Sequence, residues 1–183
     1  MIRQLFVCLL MLALTGCATS NKQGLLEIEL DGKGNSWGTQ KRLVESFYGS
    51  LGEDTSLEVR SVVDQRVYAD RLGANIKNTD FIAWTERVLN SWVPDLSAAK
   101  KSLYCTIEVE KAYFRHVSTS FKAVVVMNIS VRQSNGTVLL SDVYRGSEVD
   151  VNYISAKSEY AGCMRAAIEE AWLNFLGDVS KLL

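Results

Sequence analysis

Apolar and polar residues alternate with a period of two over three long stretches in the second half of the chain. Leu103, Cys105, Ile107 and Val109 alternate with Thr106, Glu108 and Glu110, and Ala123, Val125, Met127, Ile129 and Val131 alternate with Lys122, Asn128, Ser130 and Arg132. A third run extends from Val138 to about Val149. Successive side chains of a strand point to opposite faces, so these runs predict three half-buried strands. A loop over Arg115 to Ser120 joins the first two, and Ser134-Asn135-Gly136-Thr137 joins the second pair. Asn-Gly in that setting predicts a two-residue type I′ hairpin, whose central residues take positive φ. Val124 and Val126 add apolar character to the second face of the middle strand, which suits a face covered by protein or by a partner.

Two further runs read as strands. Leu26, Ile28 and Leu30 alternate with Glu27 and Glu29 before Asp31-Gly32, and Leu57 to Val63 is followed by Asp64-Gln65-Arg66 and an irregular stretch from Gly73 to Asn78. Thr39 to Tyr48 fits either a short helix with Leu43, Val44 and Phe47 inward or an extended segment. The period changes to three and four between Asp80 and Val93. There Phe81, Trp84, Val88, Leu89 and Trp92 share one face and Glu86, Arg87 and Asn90 lie opposite, with Thr79 as the expected N-cap and Pro94 as the stop. A last helix is expected from about Ala156 to Leu182, capped by Ser155. Its stripe is Met164, Ile168, Ala171, Trp172, Phe175, Val179 and Leu182, leaving Glu169, Glu170 and Lys181 outside. Trp84 and Trp172 belong to these stripes and are expected in the core. The order of elements predicts an α+β fold, a two-layer sandwich of mainly antiparallel sheet with two amphipathic helices packed on one face.

The first residues follow none of these patterns. Arg3 precedes an apolar run from Leu5 to Leu14, and Leu14-Thr15-Gly16 places small residues directly before Cys17. This resembles a bacterial lipoprotein export signal ending in a lipobox. The run is too short to span the roughly 30 Å hydrocarbon core as a helix. The resemblance implies removal of a signal peptide over residues 1–16, with Leu14, Thr15 and Gly16 as its recognition residues. It further implies a thioether-linked diacylglycerol and an acylated amine, palmitate among the acyl groups, on Cys17, a short tether to Gly24, and a single periplasmic domain over residues 25–183. Several acyl chains on one residue make a stable membrane anchor. Ala18 in place of an aspartate suits the periplasmic face of the outer membrane.

Charge narrows the partners. Without the signal the chain carries 19 Lys and Arg against 21 Asp and Glu, interspersed along its length. A nucleic-acid-binding face would show a basic stripe, so no nucleic acid is expected. Of the four cysteines, Cys8 leaves with the signal and Cys17 takes lipid, leaving Cys105 and Cys163. An oxidising compartment favours a disulfide between them, and burial as two separate thiols is the alternative.

Catalytic patterns are missing. His116 is the single histidine, set between Arg115 and Val117, and no nucleophile elbow, zinc motif, phosphate loop or dinucleotide fingerprint stands in the sequence. Glu108 and Glu110 share a strand face, where alternating glutamates suit the solvated side of an antiparallel sheet better than an acid and base pair. No catalytic residue, metal site or cofactor is expected.

The lipobox, the strand ending Val62-Val63-Asp64-Gln65-Arg66 with Gly73 after it, the Asn135-Gly136 hairpin and the terminal amphipathic helix together resemble the YajG-like group of small envelope lipoproteins. More loosely they are similar to the PqiC-like auxiliary lipoproteins of ABC-type lipid transport systems. The resemblance implies a non-catalytic accessory lipoprotein that binds an envelope protein partner. A lipid or glycolipid ligand, carried as part of a transport system, is the alternative that the PqiC-like likeness implies. Asp64, Arg66 and Gly73 are also ordinary turn chemistry. A protein partner calls for an exposed apolar patch, a lipid for a concave apolar pocket, and an enzyme for polar groups converging inside a pocket.

Overall fold

The computed structural model describes residues 26–27, 46–48, 55–73, 76–93, 101–117, 120–151 and 157–183. Leu14 to Cys17, the tether, the loop after Asp31, Pro94 and Ser155 lie outside the described residues. The main sheet is built from β2 (Thr55–Asp64), β4 (Lys101–Val117), β5 (Ser120–Gln133) and β6 (Val138–Val151), side by side in that order. β4, β5 and β6 form the expected antiparallel meander, whereas β2 runs parallel to β4 and makes the sheet mixed. Parallel neighbours need a crossover, and α1 (Phe81–Asn90) lies within it.

Of the first expected strand, Leu26–Glu27 is described as β1, and it joins a separate parallel pair with β3 (Ile76–Lys77) and not the main sheet. Residues 46–48 are helical. Thr79 does not cap α1. Asp80 occupies the N-cap without a side-chain cap hydrogen bond, and its carboxylate instead accepts from Asn78 Nδ2 at 2.9 Å. The stretch from Arg115 to Ser120 is mostly strand, with His116 paired to Phe121 and Val117 to Ser120. The second hairpin also differs. Gly136 N–H donates to the Gln133 carbonyl and Gln133 N–H to that of Thr137, both at 2.9 Å, which makes a three-residue loop with Gly136 at φ 87°. A glycine in that left-handed position closes the usual three-residue hairpin, so the Asn-Gly signal marks the turn and not its length.

Among the described residues the core lies between the sheet and the helices on one face, with Tyr48 of the helical residues 46–48 buried in it as well. α1 packs on β2, and α2 (Lys157–Val179) packs on β6 and β5. Leu57, Val59, Leu103, Cys105, Ile107 and Val109 from one half of the sheet meet Ala123, Val125, Met127, Ile129 and Val131 from β5. The expected face of α1 is buried throughout, Trp84 and Trp92 included, and Trp172 is fully enclosed beside Phe175, with ring centroids 4.8 Å apart. α2 approaches closest at Gly146, where an added Cβ would overlap the Ala167 carbonyl oxygen and sit 2.7 Å from Ala171 N. Only a glycine leaves that space.

Two positions of the last helix depart from the expected stripe. Leu182 lies beyond the end of α2 and is exposed, whereas Glu169 is buried. Tyr160, Ala161, Cys163, Met164, Ala167, Ile168, Leu176 and Val179 are buried as well, so α2 is enclosed over far more than one stripe. A helix enclosed so broadly takes a flanking carboxylate inside with it.

Candidate functional site

β2 ends in a loop built around one arginine. The Arg66 side chain is 4% exposed, and its Nε and Nη2 donate to the two Asp64 carboxylate oxygens, each at 2.8 Å. The backbone N–H of Arg66 donates to Asp64 Oδ1 at 3.1 Å, closing a side-chain turn. Nη2 also reaches the Ala69 carbonyl at 2.7 Å and Nη1 the Arg71 carbonyl at 3.2 Å, while the guanidinium lies 4.6 Å from the centre of the Phe81 ring. Burial on its own raises the Asp64 carboxyl, but the hydrogen bonds and charge of Arg66 outweigh it and hold the group below the usual carboxylate range. A bidentate pair of this kind gives both strength and direction.

The loop then returns along β4. Leu72 N–H donates to the Ile76 carbonyl at 2.9 Å, and Phe114 N–H donates to the Leu72 carbonyl at 3.0 Å. Gly73 takes φ 112°, and a Cβ there would stand 2.9 Å from the Phe114 carbonyl oxygen, so both backbone and space require glycine. β4 carries a bulge between Val109 and Lys111 opposite this loop. Between the two lies an open cavity of about 520 Å³. Val67, Tyr68, Ala112 and Tyr113 give it apolar walls, with Arg71, Glu110 and Lys111 also lining it. Val67 and Tyr68 extend into solvent, 88% and 69% exposed.

A second region lies on the sheet face turned away from the helices. Val124 is buried there, between Tyr113 and Ser147 in register, yet it is not part of the main core. Val126 is half-buried beside it. Val143 and Val149 on β6 are 51% and 56% exposed on the same face. The edge of β6 is partly closed by carboxylates: Ser147 N–H donates to Glu170 at 2.6 Å and Val143 N–H to Asp142 at 2.7 Å. Such caps blunt an edge strand against indiscriminate pairing.

Asp64, Arg66 and Gly73 are thus brought together as turn chemistry that builds the loop. Cys105 and Cys163 are not brought together. Both are free and buried, and the strand-to-helix disulfide does not form. Cys105 pairs with Val131, whereas Cys163 Sγ lies 3.4 Å from the Glu148 carbonyl, whose residue pairs with Ala123 eight positions back along β5. Eight residues of strand separate the two thiols by roughly 26 Å, far beyond the reach of a disulfide. Burial raises both thiols, Cys163 up to about 12. Glu108 accepts from Asn128 Nδ2 at 3.3 Å, and the bulge separates it from Glu110, which lines the cavity. His116 stands against aromatic rings, 6.4 Å from Phe121 and 6.2 Å from Tyr160 between centroids. Among the described residues no three His, Cys, Asp or Glu side chains cluster as a metal site, and no helix is long and apolar enough to cross a membrane.

Two features have no place in the residue pattern, and a third, Glu169, departs from the exposed position its pattern predicts. Val67-Tyr68 is an apolar pair inside the polar run Asp64 to Arg71, a signal visible in retrospect. The bulge in β4 has no local signature. Glu169 is the third: both of its carboxylate oxygens are enclosed without a hydrogen-bond partner among the described residues. Burial pushes its carboxyl up to about 7, opposed by the charge of Arg165 one turn earlier.

No family model and no curated protein matches the chain. Several solved structures are similar in part, three of which follow. A candidate lipoprotein from Caulobacter crescentus CB15 is 14% identical, over 74% of this chain and 93% of that one, with a TM-score of 0.40. A Xanthomonas campestris protein of the DUF330 family is 9% identical over 85% of this chain and 89% of its own, with a TM-score of 0.38. A Neisseria meningitidis lipoprotein is 14% identical over 68% of this chain and 98% of its own, with a TM-score of 0.27. Likeness at this level assigns no function to the chain.

Proposed function

We propose that the chain is a non-catalytic accessory lipoprotein, held at the periplasmic face of the outer membrane by acyl chains on Cys17, that binds an envelope protein partner. The observation that carries the binding role is the outer sheet face, where Val143 and Val149 are exposed beside Val124 and Val126. Apolar side chains grouped on a surface mark interaction sites more often than singly scattered ones do. Charges there are mixed, with Lys122, Arg132 and Arg145 on the same face as Glu108, so a partner would be recognised by shape and apolar contact more than by net charge.

The test has two arms. Cys17→Ala should abolish lipid labelling and leave the precursor uncleaved; labelling that persists overturns the anchor. A photocrosslinker at Val143 should give a discrete protein adduct in intact envelopes, and one at exposed Asn174 on α2 should not. Equal, diffuse crosslinking from both positions overturns the partner.

A lipid ligand is the second reading, favoured by the cavity beside the 66–73 loop. Its volume of about 520 Å³ and apolar walls suit part of an acyl chain. Phospholipid retained by the purified domain, lost on filling the cavity with Ala112→Trp, would move the assignment to lipid handling.

A further inference from the structure

We infer that the loop bearing Val67 and Tyr68 is a second membrane contact, resting on the same leaflet that holds the acyl chains of Cys17. The inference rests on the anchor in the reading above and adds a surface that the anchor alone does not require. Val67 and Tyr68 are the two most exposed large apolar side chains among the described residues, and they are adjacent. Exposed apolar residues are commonly tolerated one at a time. Here the loop that carries them is braced by the buried Arg66, its bonds to Asp64, Ala69 and Arg71, and its packing on Phe81. The tip is held in a defined shape while its apolar side chains stay in water.

The path of the chain indicates what covers them. Leu26, the first described residue after the tether, pairs with Ile76 in β3, and β3 in turn touches the loop through Leu72 N–H to the Ile76 carbonyl and through the Arg71–Lys77 bridge. Two strand spacings, about 10 Å, therefore separate the point where the tether enters the fold from Arg71. Tyr68 closes a turn with Arg71, whose N–H donates to its carbonyl at 3.2 Å. Nine residues lead from Cys17 to Leu26 and span at most about 30 Å. The leaflet holding Cys17 is thus within reach of the tip, on the side of the domain where the tether arrives.

Chemistry selects the interfacial zone of the bilayer. Tyrosine presents an apolar ring and a polar tip, a combination suited to the headgroup boundary. The charges nearby are balanced: Asp70 and Arg71 lie 3.6 Å apart, Asp64 is paired to Arg66, and Glu110 adjoins Lys111. Contact should therefore depend on apolar insertion and not on anionic lipid. The anchor keeps the tip at high local concentration beside the leaflet, so two side chains suffice for a contact that would be negligible from free solution.

The test uses the lipidated chain in phosphatidylcholine vesicles, with an environment-sensitive dye on Val67→Cys and, as the comparison, on Ser141→Cys at the far side of the sheet. Vesicle flotation reports the anchor independently. Brominated acyl chains should quench the dye at position 67 several-fold more than at position 141, and adding Tyr68→Ser should remove most of that difference. Thermal denaturation that matches the parent verifies that the labelled variants fold. A chain that floats while both dyes are quenched alike overturns the membrane contact and leaves the anchor intact. A chain that does not float overturns both. A dye at position 67 that is shielded only when envelope proteins are added assigns the loop to a protein partner and overturns the inference.

Discussion

At the β6 edge of the sheet, closeness holds the structure together; at the β2 edge, charge does. α2 lies so near β6 that Gly146, Ala167 and Ala171 meet with no room for another carbon, and Trp172 and Phe175 fill the space beside them. The loop after β2 has no such apolar backing for its tip. Arg66 draws Asp64, Ala69 and Arg71 into one shape and leaves Val67 and Tyr68 outside. Apolar burial stabilises without specifying what faces solvent, whereas directed hydrogen bonds can fix a surface whose side chains add little to stability. The helix-facing side of the first edge is therefore expected to govern folding, and the loop at the second to govern the membrane contact inferred above.

Substitutions at each edge should separate those roles. Trp172→Ala should cost the largest amount, about 3–5 kcal/mol, because it leaves a cavity in a fully enclosed site. Denaturant titration measures it, and a loss under 1 kcal/mol would contradict the burial. Gly146→Val should cost about 3 kcal/mol by forcing α2 off the sheet, a lesser loss because the helix can shift as a unit. Retention of parental stability would show that the helix sits farther away.

Glu169 sharpens the comparison through pH. Its folded carboxyl titrates near 7 and its unfolded one near 4.5, so the folded state binds the proton more tightly and stability falls as pH rises between those values. Glu169→Gln removes the titration. The variant should gain up to about 3 kcal/mol over the parent at pH 8 and nothing comparable below pH 4.5, as read from denaturation midpoints at both pH values. A constant difference across pH would place the carboxylate in water.

Arg66→Ala should produce the smallest stability loss, about 2 kcal/mol, by removing the side-chain donors to Asp64 and to two carbonyls while the backbone N–H of residue 66 still reaches Asp64. Hydrogen exchange should quicken over residues 65–73 while the β5 amides keep their protection. Uniform loss of protection across the sheet would mean that the loop is part of the folding core and not a separately braced surface.

Much of this architecture is legible in the residue pattern, and its legibility differs between the edges. The faces of α1 and the β4 to β6 meander are visible because periodicities of 3.6 and 2 are written into neighbouring residues. The candidate contact loop is legible only as Asp64, Arg66 and Gly73 in turn positions. Nothing local states that Arg66 would be buried over Phe81, because that ring comes from the helix after the loop. The disulfide expectation shows the same boundary: it rested on an expected oxidising compartment, but registry along β5 separates the thiols.

By itself the sequence determined the period of β4, β5, β6 and α1, most of the core residues those elements carry, and the position of the Asn135-Gly136 turn. These depend on short-range spacing, which survives in any arrangement of the chain. The tertiary structure alone decided the parallel pairing of β2 with β4, the partnership of Leu26 with Ile76, the enclosure of Glu169 and the closeness of α2 at Gly146. Each of those brings together residues distant in sequence. Their cost or gain is set by desolvation, registry and excluded volume, which exist only once both partners are in place.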